Sequence, residues 1–162
     1  MKVFSIDPGN IQSAYCIMNE EYELLEFAKL PNKEVMNKML EALSDVDEVV
    51  IERIQSYGMA VGAEVFQTCE WIGRFSQEAE KKVPVCYIYR KEEKIYICHD
   101  MKAKDKNIRA ALIERFAKHD MKNGRGTKKN PDVFYGVSAD IWAAISVAVT
   151  HFDMEKEKSF TS

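Results

Sequence analysis

The chain has 162 residues, a length that suits a single domain with one sizeable hydrophobic core. Its hydrophobic fraction of 46% and charged fraction of 30% are those of an ordinary globular protein. No apolar run approaches the ~20 residues that a membrane span requires, so we expect no membrane partner. The first residues enter a strand-like run without a leader pattern, which predicts a cytoplasmic protein.

The net charge of −3 conceals an uneven distribution of charge along the chain. Residues 1–60 carry 5 basic and 11 acidic side chains, whereas residues 81–130 carry 15 basic and 6 acidic ones. A basic part opposed to an acidic part is typical of a protein with a polyanion-binding face. The overall charge therefore does not exclude a nucleic-acid partner.

Cysteine and histidine residues show no spacing typical of a zinc site or of a disulfide framework. The cysteines lie far apart and form no CxxC pair: Cys16, Cys69, Cys86 and Cys98. The histidines are scattered in the same way: His99, His119 and His151. We assign no metal chemistry to either residue type.

The first third of the chain predicts an antiparallel meander followed by a helix. Strands are predicted at Lys2–Asp7, residues 11–18 and residues 22–28, separated by turn-forming residues. Apolar residues at helical spacing predict a helix over residues 34–43, with Asn32 as its N-cap.

The middle of the chain predicts two buried strands and a long helix. The continuous apolar run in Glu48–Arg53 is typical of a strand buried on both faces of a mixed sheet. Apolar residues on more than one face of residues 61–82 predict a helix that is buried on two sides. A further apolar strand is predicted at residues 83–89.

The last third predicts two helices separated by a basic loop. Residues 105–118 have the spacing of an amphipathic helix, with Asp105 or Asn107 as its cap. A lysine-rich loop containing glycine follows at residues 118–130, and an apolar helix is predicted over residues 140–152.

These elements predict one α/β domain over residues 1–152, with a five-stranded mixed sheet flanked by helices. A polar C-terminal tail at residues 153–162 is expected to fray. No repeat, low-complexity tract or linker interrupts the domain.

Three acidic residues stand at the ends of predicted elements: Asp7 and Glu52 end strands, and Asp140 begins the last helix. Each also fits a simpler role, as a turn residue, a surface ion-pair partner or a helix-dipole anion. Carboxylates projecting from several rigid elements can instead converge on hard cations. Two divalent ions roughly 4 Å apart would activate a water and stabilise the leaving oxygen of a phosphodiester. Oxygen ligands favour Mg²⁺ or Mn²⁺ over zinc.

Three segments resemble the RuvC Holliday junction resolvases, most closely the smaller phage-encoded branch. The segments are SIDPGN at residues 5–10, VVIE at residues 49–52 and ADIWAAISVAVTH at residues 139–151. The resemblance covers nearly the whole chain in order and spacing. It implies a ribonuclease H-like fold, a homodimer, Mg²⁺ dependence and cleavage of branched DNA at four-way junctions and forks. If the protein is phage-encoded, we expect it in the cytoplasm of a bacterial host.

The resemblance also implies roles for individual residues. Asp7, Glu52 and Asp140 match the family's catalytic, metal-binding acids, with Mg²⁺ as the cofactor and Mn²⁺ able to substitute. Lys106 resembles the family's basic residue near the scissile phosphate, where an ammonium group would stabilise the charge of the transition state. Lys104 competes for that role, and a solvated lysine at the start of a helix is the simpler interpretation.

One position departs from the family pattern. The family's last helix usually carries a second acid one turn after the first, and this chain has Ala143 there. The fourth metal ligand is therefore open. Asp105 and Asp132 are the nearest acidic substitutes by sequence, and substrate phosphate with water is the other way to complete the shell.

Basic residues between positions 102 and 129 predict phosphate contacts that do not read sequence. Tyr57 follows Glu52 closely and is a candidate for stacking on an unpaired base, although such a tyrosine can simply pack. The predicted DNA-binding residues are Lys102, Lys104, Lys106, Arg109, Lys122, Arg125, Lys128, Lys129 and Tyr57. We expect no small-molecule substrate.

Three other functions compete with a junction-cleaving nuclease. An actin-like phosphotransferase would need a second domain and glycine-rich phosphate loops, for which 162 residues with 7 glycines leave no room. A non-catalytic branched-DNA-binding protein would keep the basic face but, with Ala143, lack efficient metal chemistry. A ribonuclease H or transposase-type enzyme would cleave hybrids or transfer strands without preferring branches.

Overall fold

Five strands form one mixed sheet in the computed structural model, which describes residues 1–161. The strands are β1 (Lys2–Asp7), β2 (Gln12–Asn19), β3 (Leu24–Pro31), β4 (Glu48–Arg53) and β5 (Val85–Tyr89). Their order across the sheet is β3-β2-β1-β4-β5. The first three pair antiparallel, whereas β4 pairs parallel to both β1 and β5. The prediction of a five-stranded mixed sheet is confirmed, with β3 and β5 each beginning two residues later than expected.

Helices cover both faces of the sheet. They are α1 (Asn32–Ala42), α2 (Ala63–Glu80), α3 (Arg90–Cys98), α4 (Asp105–Phe116) and α5 (Ile141–Thr161). Sequence analysis missed α3, because its one buried residue is Glu93 and it therefore lacks an apolar stripe. Within residues 1–161, no helix has the length and hydropathy to cross a membrane.

Alternation of side chains along the strands divides the interior into two cores. Phe4 and Ile6 of β1 belong to the core under α1 and α2. Val3 of β1 and Val50 of β4 belong to the core under α4 and α5. Ser5 lies on this second face, where its hydroxyl donates to the Ala144 carbonyl of α5 at 2.8 Å. Asp7, the last residue of β1, is the next residue on this face. Its side chain therefore lies under the start of α5.

The C-terminal segment corrects the expectation of a frayed tail. Helix α5 continues through Thr161, well beyond the predicted end at residue 152. Its middle is tied to the rest of the domain, because Asp153 accepts a hydrogen bond from the Tyr22 hydroxyl at 2.6 Å and a salt bridge from Arg115 at 2.8 Å. The tail prediction is therefore wrong for residues 153–161, and Ser162 lies outside the described residues.

The predicted helix caps are also corrected. Pro31 occupies the cap position of α1, and Asn32 is the first helical residue. The buried Asn32 amide instead donates to the Gly9 carbonyl at 2.9 Å and accepts the Ser13 hydroxyl at 2.5 Å. Its role is to hold the turn between β1 and β2. In α4 the cap position is Lys104, whose backbone N–H donates to the Asn107 side chain at 2.8 Å.

Helix α2 is buried on one side rather than on two. Ile72, Phe75 and Ala79 face the sheet, as predicted. Phe66 is 60% exposed, however, and Val61 lies before the helix and is exposed. The described chain therefore presents an apolar surface on the N-terminal half of α2.

Candidate active site

Two of the predicted acids lie side by side at the ends of neighbouring parallel strands. Ile6 of β1 is paired with Ile51 of β4, so Asp7 and Glu52 follow at the same level. Strand alternation points both carboxylates to the face covered by α5. Burial, followed by the Glu52 carboxylate and then by Asp140, raises the pKa of Asp7 to about 9. The three acids predicted from sequence are therefore brought into one electrostatic cluster.

Asp140 reaches the cluster because the first turns of α5 cross over β1. The Ser5–Ala144 hydrogen bond of 2.8 Å fixes this crossing. The Asp140 carboxylate is 54% exposed and forms a salt bridge with Lys29 of β3 at 2.5 Å. Asp140 thus stands at the solvent side of the cluster, and Lys29 is a basic neighbour that sequence analysis did not identify.

A fourth acid, Glu93 of α3, joins the cluster and was missed by sequence analysis. Its side chain is 0% exposed, and its Oε1 accepts the Ser146 hydroxyl at 2.6 Å and the Arg90 guanidinium at 3.0 Å. Its Oε2 is buried and has no hydrogen-bond donor among the described residues, and the nearby Glu52 carboxylate could bond to it only by sharing a proton. Burial, and next the nearby Glu52 carboxylate, raise the pKa of Glu93 well above its ordinary value. No local pattern marks this residue, because a glutamate in a polar nine-residue helix resembles a surface residue.

Arg90 is a second cation in contact with this cluster. One of its terminal nitrogens binds Glu93 at 3.0 Å and the other binds Asp105. Its charge also opposes the rise in the pKa of both Asp7 and Glu93. Arg90 therefore offsets only part of the repulsion among these acids.

The two acids named from sequence as candidates for the fourth metal ligand lie in different environments. Asp105 borders the site but is engaged by Arg90. Asp132 lies in the loop before α5, where the backbone N–H groups of Lys118, His119 and Asp120 donate to its carboxylate. Burial opposes ionisation of this group, but those donors outweigh it and lower the pKa of Asp132. Asp132 therefore organises this loop through its contacts with backbone N–H groups.

Open space adjoins the acidic cluster on two sides. A cavity of about 190 Å³ is lined by residues that include Arg90, Asp140 and Ala143. A second cavity, of about 250 Å³, is lined by residues that include Glu52 and Tyr57. Tyr57 is 69% exposed, so the alternative that it simply packs is excluded for the described chain. A ligand that approaches from this edge of the sheet would therefore meet Asp140 and Glu52.

The predicted DNA-binding side chains are all exposed, but they fall into two groups. Lys104 and Lys106 line a depression that also includes Arg90 and Lys94, next to the acidic cluster. The other group lies on the loop before α5 and consists of Lys122, Arg125, Lys128 and Lys129. Lys102 and Arg109 flank the first group, and Arg109 stacks over the Trp142 ring at 5.5 Å.

The loop before α5 is held in a defined conformation. Gly126 has a φ of +65°, and a Cβ there would lie 2.4 Å from the Asn130 carbonyl oxygen. The Asp120 carboxylate accepts the backbone N–H of Gly126 at 2.9 Å and that of Asn123 at 3.0 Å. The backbone that carries the lysines of this loop is therefore ordered.

A separate cluster lies at the other end of β4. The side chains of Glu48, Cys86 and His151 offer ligand atoms that all lie within 4.8 Å of one another. Sequence analysis assigned no chemistry to these residues, because they come from β4, β5 and α5. His151 Nε2 lies 2.8 Å from the Glu48 carboxylate, a contact that links α5 to the sheet. Glu48 and Glu52 are about 13 Å apart along the strand, so this cluster is distinct from the acidic one.

Comparison with known proteins identifies the fold. No protein-family model and no curated protein matches this chain. The structure of Thermus thermophilus RuvC superimposes with a TM-score of 0.64 at 19% identity, covering 98% of this chain and 97% of that chain. T. thermophilus RuvC in complex with Holliday junction substrate gives a TM-score of 0.69 at 16% identity, covering 98% and 96%. The ribonuclease H-like fold of RuvC, which the resemblance implied, is confirmed.

Proposed function

We propose that this chain, which has the fold of RuvC along nearly its whole length, is a structure-selective endonuclease that cleaves branched DNA. Its substrates would be Holliday junctions and replication forks, cleaved by metal-dependent hydrolysis of a phosphodiester. The observation that carries the proposal is the convergence of Asp7, Glu52 and Asp140 at one open edge of the sheet. A solved structure with this fold is a RuvC complex with Holliday junction substrate, which supports branched DNA as the ligand.

The residues of the cluster fit a pair of hard divalent cations. They offer carboxylate oxygens alone, which suits Mg²⁺ or Mn²⁺. Burial, and next the Glu52 carboxylate, raise the pKa of Asp7, and a bound cation would neutralise the like charges. Asp7, Glu52 and Asp140 would hold the ions. When bound, these ions would activate a water and stabilise the leaving oxygen.

The chain's own basic groups would position the DNA and stabilise charge at the phosphate. Arg90 and Lys106 lie beside the cluster, where a cation would offset the charge that develops on the phosphate during cleavage. The loop lysines would hold duplex arms through phosphate contacts. The exposed ring of Tyr57, next to Glu52, would stack on a base freed at the branch point.

A homodimer would bring two such sites to two strands of one junction. The apolar, exposed half of α2 supports this assembly, because an isolated domain leaves Phe66 60% exposed. The same half of α2 follows the segment that carries Tyr57, so dimer formation would organise the edge of the DNA path.

Cleavage of a substrate panel tests the function. Purified protein is incubated with a four-way junction, a fork, a linear duplex and an RNA–DNA hybrid, with Mg²⁺, Mn²⁺ or EDTA. We expect Mg²⁺-dependent nicking of the junction and fork at least tenfold faster than of the duplex. Preferential hybrid cleavage would instead identify a ribonuclease H-type enzyme. Tight junction binding without nicking would identify a non-catalytic binding protein.

A further inference from the structure

The first turns of α5 carry one carboxylate, that of Asp140. Ala143 and then Ser146 follow at intervals of three residues, so each lies next to the preceding one along the helix surface. Ala143 lines the cavity of about 190 Å³ together with Asp140 and Ser146. A methyl group at this position can contribute no ligand to a cation.

Glu93 fills the neighbouring space from a different element. Helix α3 packs on α5, and the Ser146 hydroxyl donates to Glu93 Oε1 at 2.6 Å. Arg90 donates to the same oxygen at 3.0 Å. Glu93 is 0% exposed, yet its Oε2 has no hydrogen-bond donor among residues 1–161 and lies near the Glu52 carboxylate, which could bond to it only by sharing a proton. A buried carboxylate oxygen without a partner is costly, and a bound cation is one way to satisfy it.

The position of Glu93 relative to the other acids supports a cation at its second oxygen. Glu52 lies beside Asp7 on the neighbouring strand, and its carboxylate is also close to that of Glu93. One oxygen of Glu93 is held by Ser146 and Arg90, which leaves the second oxygen for the centre of the cluster. Fixing one carboxylate oxygen by hydrogen bonds is how supporting residues orient a metal ligand.

We propose that Glu93 supplies the fourth metal-binding carboxylate of this site, in place of an acid at position 143. Ser146 and Arg90 are its positioning residues. The ligand is a hard divalent cation, Mg²⁺ or Mn²⁺. This inference rests on the proposed function, since it assumes that Asp7, Glu52 and Asp140 bind such ions.

The decisive variant is Glu93→Gln, measured by Mn²⁺ binding in the absence of DNA. Glutamine keeps an oxygen for Ser146 and Arg90 and changes the oxygen that has no partner, so the fold should be retained. Its melting temperature in EDTA checks this. We expect Mn²⁺ affinity, measured by calorimetry or by the EPR signal of free Mn²⁺, to fall at least about 10-fold. Glu114→Gln, which removes an exposed glutamate from α4, should leave the affinity unchanged.

A second variant restores the carboxylate at the position that lacks it. Ala143→Asp combined with Glu93→Gln should recover Mn²⁺ affinity and junction nicking to within about threefold of the wild-type protein. If glutamate at position 93 were only a packing residue, Glu93→Gln would bind Mn²⁺ and nick junctions as the wild type does. That result overturns the inference, and so does a folded double variant that shows no recovery.

The outcomes separate this inference from the proposed function. If Asp7→Asn abolishes nicking and Mn²⁺ binding while Glu93→Gln changes neither, only the role of Glu93 is lost. If the wild-type protein neither nicks any branched substrate nor binds Mn²⁺, the proposed function fails and the role of Glu93 fails with it.

Discussion

At the scale of single residues, the site consists of carboxylates that oppose one another in the absence of a cation. Asp7 and Glu93 both have raised pKa values, chiefly because they are buried and secondly because Glu52 lies near each. Arg90 offsets only part of this repulsion. Repulsion of this kind lowers the stability of a folded protein, and the cations of the proposed function would relieve it.

The raised pKa of Asp7 predicts a stability that depends on pH. Its pKa is about 9 in the folded protein and 3.8 ordinarily, so between these values the folded state holds a proton that the unfolded state has lost. Stability must then fall as the pH rises through this window. We expect the melting temperature of the wild-type protein in EDTA to decrease between pH 5 and pH 9. The melting temperature of Asp7→Asn should decrease less over the same range. If the melting temperature falls equally steeply with pH in both proteins, the pH dependence does not come from the raised pKa of Asp7.

Substitution of each predicted acid should separate cleavage from binding. Asp7→Asn, Glu52→Gln and Asp140→Asn should each reduce Mg²⁺-dependent nicking at least about 100-fold, as loss of a single transition-state contact does elsewhere. Junction affinity in EDTA should change little, because the basic surface is intact. Gel-shift and nicking assays measure the two effects. Wild-type activity in any one variant removes that residue from the site.

At the scale of elements, the loop before α5 offers a rigid basic surface. Asp120 and Asp132 bind its backbone N–H groups, so its lysines require little further ordering when they bind a phosphate. Because lysine contacts to phosphate do not read bases, this loop should contribute affinity without sequence preference.

Replacing Lys128 and Lys129 together by alanine should lower the binding affinity for all DNA substrates by similar factors. Each lost phosphate contact reduces the slope of log affinity against log salt by about 0.9 for duplex arms. Loss of both contacts should therefore flatten the slope by about 1.8. Lys106→Ala should slow nicking more than it weakens binding, since Lys106 lies beside the acidic cluster. An unchanged salt slope in the double variant would move the DNA path away from this loop.

At the scale of the whole molecule, the exposed half of α2 predicts self-association. Phe66→Glu should convert a dimer into a monomer at micromolar concentration, as measured by sedimentation. Its effect on the melting temperature of the monomer should be small, because Phe66 is 60% exposed in the isolated chain. Phe160→Glu is the matched control on α5, where the ring is 90% exposed. A wild-type protein that is monomeric with and without junction DNA would contradict the proposal.

A phage origin and a cytoplasmic location stay predictions. The described fold bears on neither, although it contains no helix that could span a membrane. In the proposed dimer, a preference between junctions and forks would depend on how the two subunits are spaced.

The sequence by itself determined the sheet, four of the five helices and three of the site's acids. Each of these depends on a local signal: Asp7 and Glu52 follow apolar strands, and Asp140 precedes an apolar helix. Local periodicity predicts an element because a strand or helix must bury one face wherever it packs. The same logic failed for the segment after residue 152, whose helix is held by contacts to Tyr22 and Arg115 that are distant in sequence.

Only the tertiary structure decided the fourth acid and the charge that balances the cluster. Glu93 contacts Ser146, 53 positions further along the chain, and it lies in a helix with no apolar stripe. In sequence it is one of several surface-like glutamates. Burial against α5 separates it from its neighbours, because a carboxylate withdrawn from water must find a partner, and α5 provides only one for its two oxygens.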